Sequence, residues 1–230
     1  MVVASHHRMR NDDAVLPFAL IGAGVTAAAG FVLIARAVDR HETRSVDGRA
    51  RKRFPKRRRP ITRQLATAIG PLGKWWGQMP IAAAASALAW RGGGPAAGAP
   101  IAAASATAAT LAWALERWMP QREPPPGRHS PTEPAFPSGH ALQTTAVAWT
   151  IAYVYLREHE GRAGALLPFA VLVPLASGLA KMYLDRHWLT DVLGGYVVGA
   201  VIAAPAAAAY EIARPRLARR HGRVRALLGR

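Results

Sequence analysis

Two histidines and an aspartate are the residues of this chain whose types and spacing could perform nucleophilic and acid–base chemistry. His187 and Asp191 are four residues apart, a spacing that would place them on one face of a helix. Asp191 could then accept a hydrogen bond from one ring nitrogen of His187, leaving the other nitrogen free as a nucleophile. His140 follows Ser138, which has the residue type of a helix N-cap and precedes an apolar segment. The N–H groups of the first turn after such a cap favour an anion such as phosphate.

Apolar segments of the chain must bring these residues together. Two apolar runs, at about residues 141–156 and 165–180, separate the two histidines. Each run is about long enough to cross a bilayer, and two crossings return the chain to the side it left. We therefore expect His140 and His187 at the same membrane face, each at the end of a membrane helix.

The whole hydropathy pattern predicts an all-α integral membrane bundle of about six transmembrane helices in a domain spanning residues 14–210. The expected helices are 14–38, 77–90, 96–115, 138–156, 165–183 and 188–210. Gly195 and Gly199 have the small-xxx-small spacing that lets two membrane helices approach closely.

Charge is segregated from these apolar segments. The 230 residues include 30 Lys and Arg against 13 Asp and Glu, a formal net charge of +17, and no cysteine. Most of the charged residues lie in four stretches that predict polar tails and loops, at 1–13, 39–63, 116–137 (rich in proline) and 211–230. Because the positive charge flanks apolar spans, we expect membrane lipids and no nucleic acid as its partners.

The densest basic run is residues 51–59, with seven positive charges and no negative one. We expect a solvated or interfacial loop near anionic lipid, with a nucleic-acid patch and a direct role in guiding substrate as the alternatives. The Ala- and Arg-rich composition is typical of bacterial proteins.

Around the two histidines the sequence resembles the type 2 phosphatidic acid phosphatase (PAP2) family, membrane phosphatases that share a fold with vanadium haloperoxidases. The second motif of that family, Pro-Ser-Gly-His, is intact at Pro137–His140. The third, usually Ser-Arg, five residues, His, three residues and Asp, keeps its histidine and aspartate but has Ala180 and Lys181 in place of Ser-Arg. The first motif, Lys, six residues and Arg-Pro, is degenerate, and its nearest counterpart is Arg117–Pro125. The resemblance covers roughly residues 63–210.

The resemblance implies a membrane phosphatase that hydrolyses a lipid phosphomonoester or polyprenyl diphosphate through a phosphohistidine, without a metal or cofactor. In such a scheme His187 attacks phosphorus, Asp191 orients it, and His140 protonates the leaving oxygen and then helps to activate water. The groups expected to hold the phosphoryl oxygens are the Ser138 hydroxyl, the Gly139 amide and Lys181, with Arg117 or Arg122 in support. The resemblance also implies a multi-pass protein of the cell membrane whose site faces outward, although the excess of basic residues at the site's face favours the opposite orientation.

Other interpretations of these residues remain open at the level of sequence. The histidines could lie at the membrane interface without chemistry, or form a zinc site with Asp191, although no fourth ligand is evident. Arg117 and Arg122 could equally be snorkelling anchors at a helix end. The alternative function is a catalytically impaired PAP2-like membrane protein that binds phospholipid or a partner. A haloperoxidase is disfavoured because members of that family are soluble and longer.

Overall fold

The structure of the chain, a computed structural model, describes residues 11–54, 59–119, 122–126, 135–159, 164 and 166–227, and the backbone alone for 11–14 and 216–227. Parts of the predicted tails and loops therefore lie outside the described residues: positions 1–10, 55–58, 120–121, 127–134 and 228–230.

The described residues form eight α-helices and one short 3₁₀ turn, Gly70–Gly73, between α3 and α4. The helices are α1 (Asn11–Asp39), α2 (Arg44–Lys52), α3 (Pro60–Ile69), α4 (Trp75–Gly93), α5 (Pro95–Trp118), α6 (Gly139–Glu158), α7 (Leu166–Tyr183) and α8 (Leu189–Leu227). Six of these, α1 and α4–α8, correspond to the six helices expected from sequence, so the predicted all-α bundle is confirmed. The last helix extends past residue 210 into the predicted basic tail.

Four of the described helices are long and apolar enough to cross a membrane: α1, α5, α7 and the first 27 residues of α8. The other two long helices, α4 and α6, have 19 and 20 residues but a more polar composition. In α6 the polarity follows from position, because this helix packs against α5, α7 and α8 and most of its residues are buried. Its buried threonines donate to backbone carbonyls one turn earlier, so their hydroxyls need no water.

The close contact between α6 and α8 depends on the two glycines that the sequence singled out. A Cβ on Gly199 would lie 2.5 Å from Cβ of Thr145 and 2.8 Å from the carbonyl oxygen of Leu142. A Cβ on Gly195 would collide with the carbonyl oxygen of Ser138. The predicted small-residue interface is therefore confirmed, and it fixes the start of α8 against the start of α6, where the two histidines lie.

The basic stretch 39–63 contains a helix where the sequence predicts a loop, while positions 55–58 of the basic run lie outside the described residues. Residues 44–52 form α2, whose Ala50, together with the following Phe54, packs against a small buried cluster of Ala141, Met182 and Val192. These three residues come from α6, α7 and α8, so α2 lies across the end of the bundle that holds both histidines. The prediction of a loop was wrong for residues 44–52, where the many Lys and Arg residues conceal a helix whose inner face carries Ala50 and the buried Asp47.

Candidate active site

The N-terminus of α6 forms one wall of the candidate site. Ser138 is the N-cap, and its side-chain oxygen accepts a hydrogen bond from Ala141 N at 3.5 Å, as the sequence predicts. The backbone N–H of Ser138 donates to the backbone oxygen of Asp191 at 2.9 Å, which ties this turn to the start of α8. Gly139 and His140 are the first residues of the helix, whose free N–H groups and dipole favour an anion.

The two histidine rings meet at this helix end. Their centroids lie 6.5 Å apart, and their planes are inclined by 58°. The two histidines therefore lie at the same end of the bundle, as the sequence predicts, while their position relative to a membrane stays a prediction. The Nε2 atom of His140 is buried and has no hydrogen-bond partner among the described residues. A buried nitrogen without a hydrogen-bond partner raises the free energy of the folded state, and such atoms are typical of functional sites.

His187 is held by a partner that the sequence did not indicate. Its Nδ1 atom lies 2.7 Å from the carbonyl oxygen of Ala135 and 3.9 Å from Oδ2 of Asp191. Because a carbonyl only accepts, Nδ1 must carry the proton, and Nε2 keeps its lone pair. The predicted His187–Asp191 hydrogen bond is therefore wrong, although the tautomer that it was expected to select is retained. The reason is that α8 begins at Leu189, so His187 precedes the helix and the four-residue spacing does not determine its contacts.

Asp191 instead caps its own helix. Its Oδ2 accepts a hydrogen bond from the backbone N–H of Trp188 at 2.7 Å, the return bond of a capping box in which an acid at the third helical position reaches the N-cap. Its Oδ1 lies 2.5 Å from a guanidinium nitrogen of Arg122. The Asp191 side chain is completely buried, and Arg122 supplies the opposite charge that burial requires.

The two arginines of the degenerate first motif have different environments. The guanidinium of Arg122 lies between Asp191 and a second buried carboxylate, Asp47, at 2.6 Å. Arg117 is exposed on α5, with its Cζ 4.2 Å from the centre of the Trp113 ring. Arg117 thus has the arrangement of an anchor, and Arg122 is committed to two carboxylates.

Asp47 is the site residue that the sequence analysis missed. It comes from α2, it is 1% exposed, and it contacts Arg122 and Thr190. A signal for it did exist, because Asp47 is the only acidic residue between positions 43 and 115. One carboxylate in so basic a stretch indicates a specific partner.

Lys181 places positive charge beside the histidines. It lies in the last turn of α7 and is only 5% exposed. His187, which lies between the spans α7 and α8, has its pKa lowered to about 4 by burial, with the charges of Lys181 and Arg186 contributing and the hydrogen bond to Ala135 opposing. His187 is therefore neutral at physiological pH, the form in which Nε2 keeps its lone pair.

The 3₁₀ turn before α4 closes the site from the other side. A Cβ on Gly73 would lie 2.7 Å from Cβ of His140, so no larger residue fits against the ring. A Cβ on Gly70 would lie 3.7 Å from Nζ of Lys181. The space next to His187 is correspondingly small, about 10 Å³, and Arg51 and Phe54 of the α2 region line it.

A much larger cavity of about 520 Å³ adjoins the Arg122–Trp188 side of the site. Its wall combines apolar side chains, such as Val38 and Phe136, with charged ones, such as Arg44 and Glu123. These residues come from the end of α1, the start of α2 and the segments between α5 and α6. Among the described residues, no group of three or more His, Cys, Asp and Glu side chains is placed to hold a metal ion.

Comparison with known proteins agrees with this architecture. The PAP2 superfamily matches residues 96–215, just over half of the chain, and the chain belongs to that superfamily. It is 31% identical over 74 residues to phosphatidylglycerophosphatase B of Bacillus subtilis (strain 168), an alignment that covers 30% of this chain and 35% of the relative. The chain therefore spans about a third of the length of that relative.

The fold is similar to the crystal structure of a transmembrane PAP2-type phosphatidylglycerolphosphate phosphatase from Bacillus subtilis. The TM-score is 0.69 at 23% sequence identity, and the match covers 79% of this chain and 92% of the other. Together with the apolar helices, this similarity shows a multi-pass membrane protein of the PAP2 fold.

Proposed function

We propose that this chain is a lipid phosphatase in which His187 is the nucleophile. The observation that carries the proposal is the pairing of two rings 6.5 Å apart at a helix N-terminus, one with its tautomer fixed and the other with an unpartnered Nε2. A phosphoryl group placed between the rings would meet a nucleophilic nitrogen on one side and a proton donor on the other.

The reaction proceeds in two displacements. The Nε2 lone pair of His187 attacks phosphorus, the P–O bond to the lipid breaks, and the leaving oxygen takes a proton from Nε2 of His140. His140, now neutral, accepts a proton from water as that water attacks the phosphohistidine. The P–N bond breaks, inorganic phosphate forms, and both histidines return to their initial states.

The phosphoryl oxygens are held by groups at the N-terminus of α6 and by Lys181. The backbone N–H groups of this first turn, which begins at Gly139, and the hydroxyl proton of Ser138 donate to them, and the ammonium group of Lys181 offsets their charge. Lysine supplies the charge as a compact ammonium rather than as the bidentate fork of arginine. The scheme needs no metal, because cationic side chains neutralise the phosphate.

A lipid substrate fits the surroundings of the site better than a soluble one. The site lies at the end of membrane helices, and the adjoining 520 Å³ cavity has both apolar and charged walls, which suit the boundary between headgroup and acyl chain. Phosphatidylglycerol phosphate is the first substrate to test, since the relatives are named for it. Phosphatidic acid and a polyprenyl diphosphate are the other candidate substrates. We also expect the site to face the outside of the cell.

The alternative, a catalytically impaired relative that binds phospholipid, is favoured by one observation. Arg122, the arginine available to replace the first motif's phosphate ligand, is already bound by two carboxylates. If a free arginine is essential for turnover, the chain would bind the lipid and not hydrolyse it.

Phosphate release from purified protein in detergent, measured with the three lipids and with EDTA present, separates these functions. We expect phosphate release by the wild type and none by His187→Ala, and acid-labile phosphate on trapped wild-type protein but not on trapped His187→Ala. His140→Ala should still form the covalent intermediate from a substrate with a very good leaving group. The control is His159→Ala, an exposed histidine at the other end of α6, which should keep full turnover. Lipid binding without phosphate release by the wild type would refute the phosphatase assignment.

A further inference from the structure

The carboxylate of Asp47 connects α2 to the start of α8. Its Oδ1 accepts the backbone N–H of Thr190 at 3.0 Å, and its Oδ2 accepts the Thr190 hydroxyl at 2.8 Å. Thr190 is the second residue of α8, so one of the N–H groups that a helix start leaves unpaired is satisfied by a residue 143 positions earlier. The negative charge also complements the positive end of the helix dipole.

Arg122 extends this connection to Asp191. One of its terminal nitrogens lies 2.6 Å from Oδ2 of Asp47, and the other lies 2.5 Å from Oδ1 of Asp191 and 2.8 Å from the Thr190 hydroxyl. The planar guanidinium can contact both carboxylates at fixed angles, which a lysine could not do. Both carboxylates are almost completely buried, and without the cation between them they would repel each other.

We propose that Asp47 is a positioning residue for the phosphatase reaction and acts through Arg122 on Asp191. With Oδ1 of Asp191 held by Arg122, its Oδ2 is directed to the backbone N–H of Trp188, the residue directly after His187. Asp47 thereby fixes the peptide that carries the nucleophile without touching the substrate. It lies outside residues 96–215, the region that matches the PAP2 superfamily, and the inference rests on the function proposed above.

The structure offers a matched control for Asp47. Arg51, on the same helix, pairs with Asp185 at 3.3 Å and also donates to the carbonyl oxygen of Pro126. Asp185→Asn removes a carboxylate that tethers α2 but leaves the network between Asp47 and Asp191 intact. Asparagine tolerates the left-handed backbone at this position, where φ is 53°.

The test is a double-mutant cycle on detergent-solubilised protein, with kcat and KM measured for the best lipid substrate. Asp47→Asn should lower kcat about tenfold and leave KM within about threefold, because the substrate contacts remain. Asp185→Asn should leave both constants within about threefold of the wild type. In the Asp191→Asn background, Asp47→Asn should cost less than about threefold more, since both changes act on one network.

A second variant covers the case in which Asp47→Asn does not fold. Arg122→Lys keeps the positive charge but cannot bridge two carboxylates, so it should show the same loss of kcat and the same lack of additivity with Asp191→Asn. Unchanged kcat, or losses that multiply in the double variant, would overturn the role of Asp47 while the proposed function stands. A wild type without turnover would refute the proposed function and this inference together.

Discussion

Replacing Asp191 by asparagine tests how the site holds His187, the proposed nucleophile. If Asp191 received the Nδ1 proton of His187, as in a serine-protease triad, losing its charge would cost roughly 10²–10⁴ in rate, much of it from the wrong tautomer. In this structure the Ala135 carbonyl oxygen receives that proton at 2.7 Å. Asp191→Asn should therefore keep the tautomer and lose only electrostatic support.

The size of this electrostatic stabilisation follows from the distance between the Asp191 carboxylate and the His187 ring. At the 3.9 Å that separates Nδ1 of His187 from Oδ2 of Asp191, Coulomb's law with an effective dielectric constant near 20 gives about 4 kcal/mol for a full charge on the ring. Arg122, paired to the other oxygen of Asp191, offsets part of this energy. We therefore expect Asp191→Asn to lower kcat about 10–10²-fold, that is by about 1.4–2.7 kcal/mol.

Steady-state hydrolysis of the lipid phosphate by purified variants, with thermal unfolding as the check on folding, measures this loss. His187→Ala sets the lower limit and should show no covalent intermediate. A loss near 10⁴ for Asp191→Asn in a folded protein would mean that Asp191, and not Ala135, selects the tautomer during turnover. An unchanged rate would remove Asp191 from the mechanism.

Three further predictions concern pH, packing and topology. The pKa of His187 is lowered to about 4, so its neutral form persists down to that pH. The acid limb of the pH profile of kcat/KM, corrected for ionisation of the substrate, should therefore lie near pH 4. An acid limb near pH 6.5 would contradict the buried environment of His187. Gly199→Ala should lower the free energy of unfolding by about 1–3 kcal/mol, because the added Cβ overpacks against α6. Gly30→Ala, with no atom within 4 Å of the added Cβ, should leave thermal stability unchanged or raise it. Equal effects of the two changes would refute the packing argument. Since the chain has no cysteine, single Arg53→Cys and Arg91→Cys variants should react from opposite sides with an impermeant maleimide, the first from outside the cell; labelling from the same side would mean that a crossing is miscounted.

The sequence alone predicted the N-terminus of α6, the proximity of the two histidines and the glycines of α8. Ser138 caps α6 because its side chain and the apolar run after it suffice to start a helix, whatever surrounds them. The meeting of His140 and His187 followed from counting membrane crossings, since a hydrophobic span has a fixed length and two spans restore the side of the membrane. The glycines of α8 were likewise identified by spacing alone.

Only the tertiary structure decided which residues contact the proposed catalytic groups. Ala135 lies 52 residues from His187, and Arg122 lies 69 residues from Asp191, so no periodicity relates them. The four-residue spacing of His187 and Asp191 misled because it holds on a helix, and α8 begins between the two residues. Asp47 lies in a stretch whose charge predicts exposure. It is buried because its carboxylate pairs with Arg122 and accepts a hydrogen bond from the backbone N–H of Thr190 at the start of α8, and these contacts offset the free-energy cost of removing the carboxylate from water.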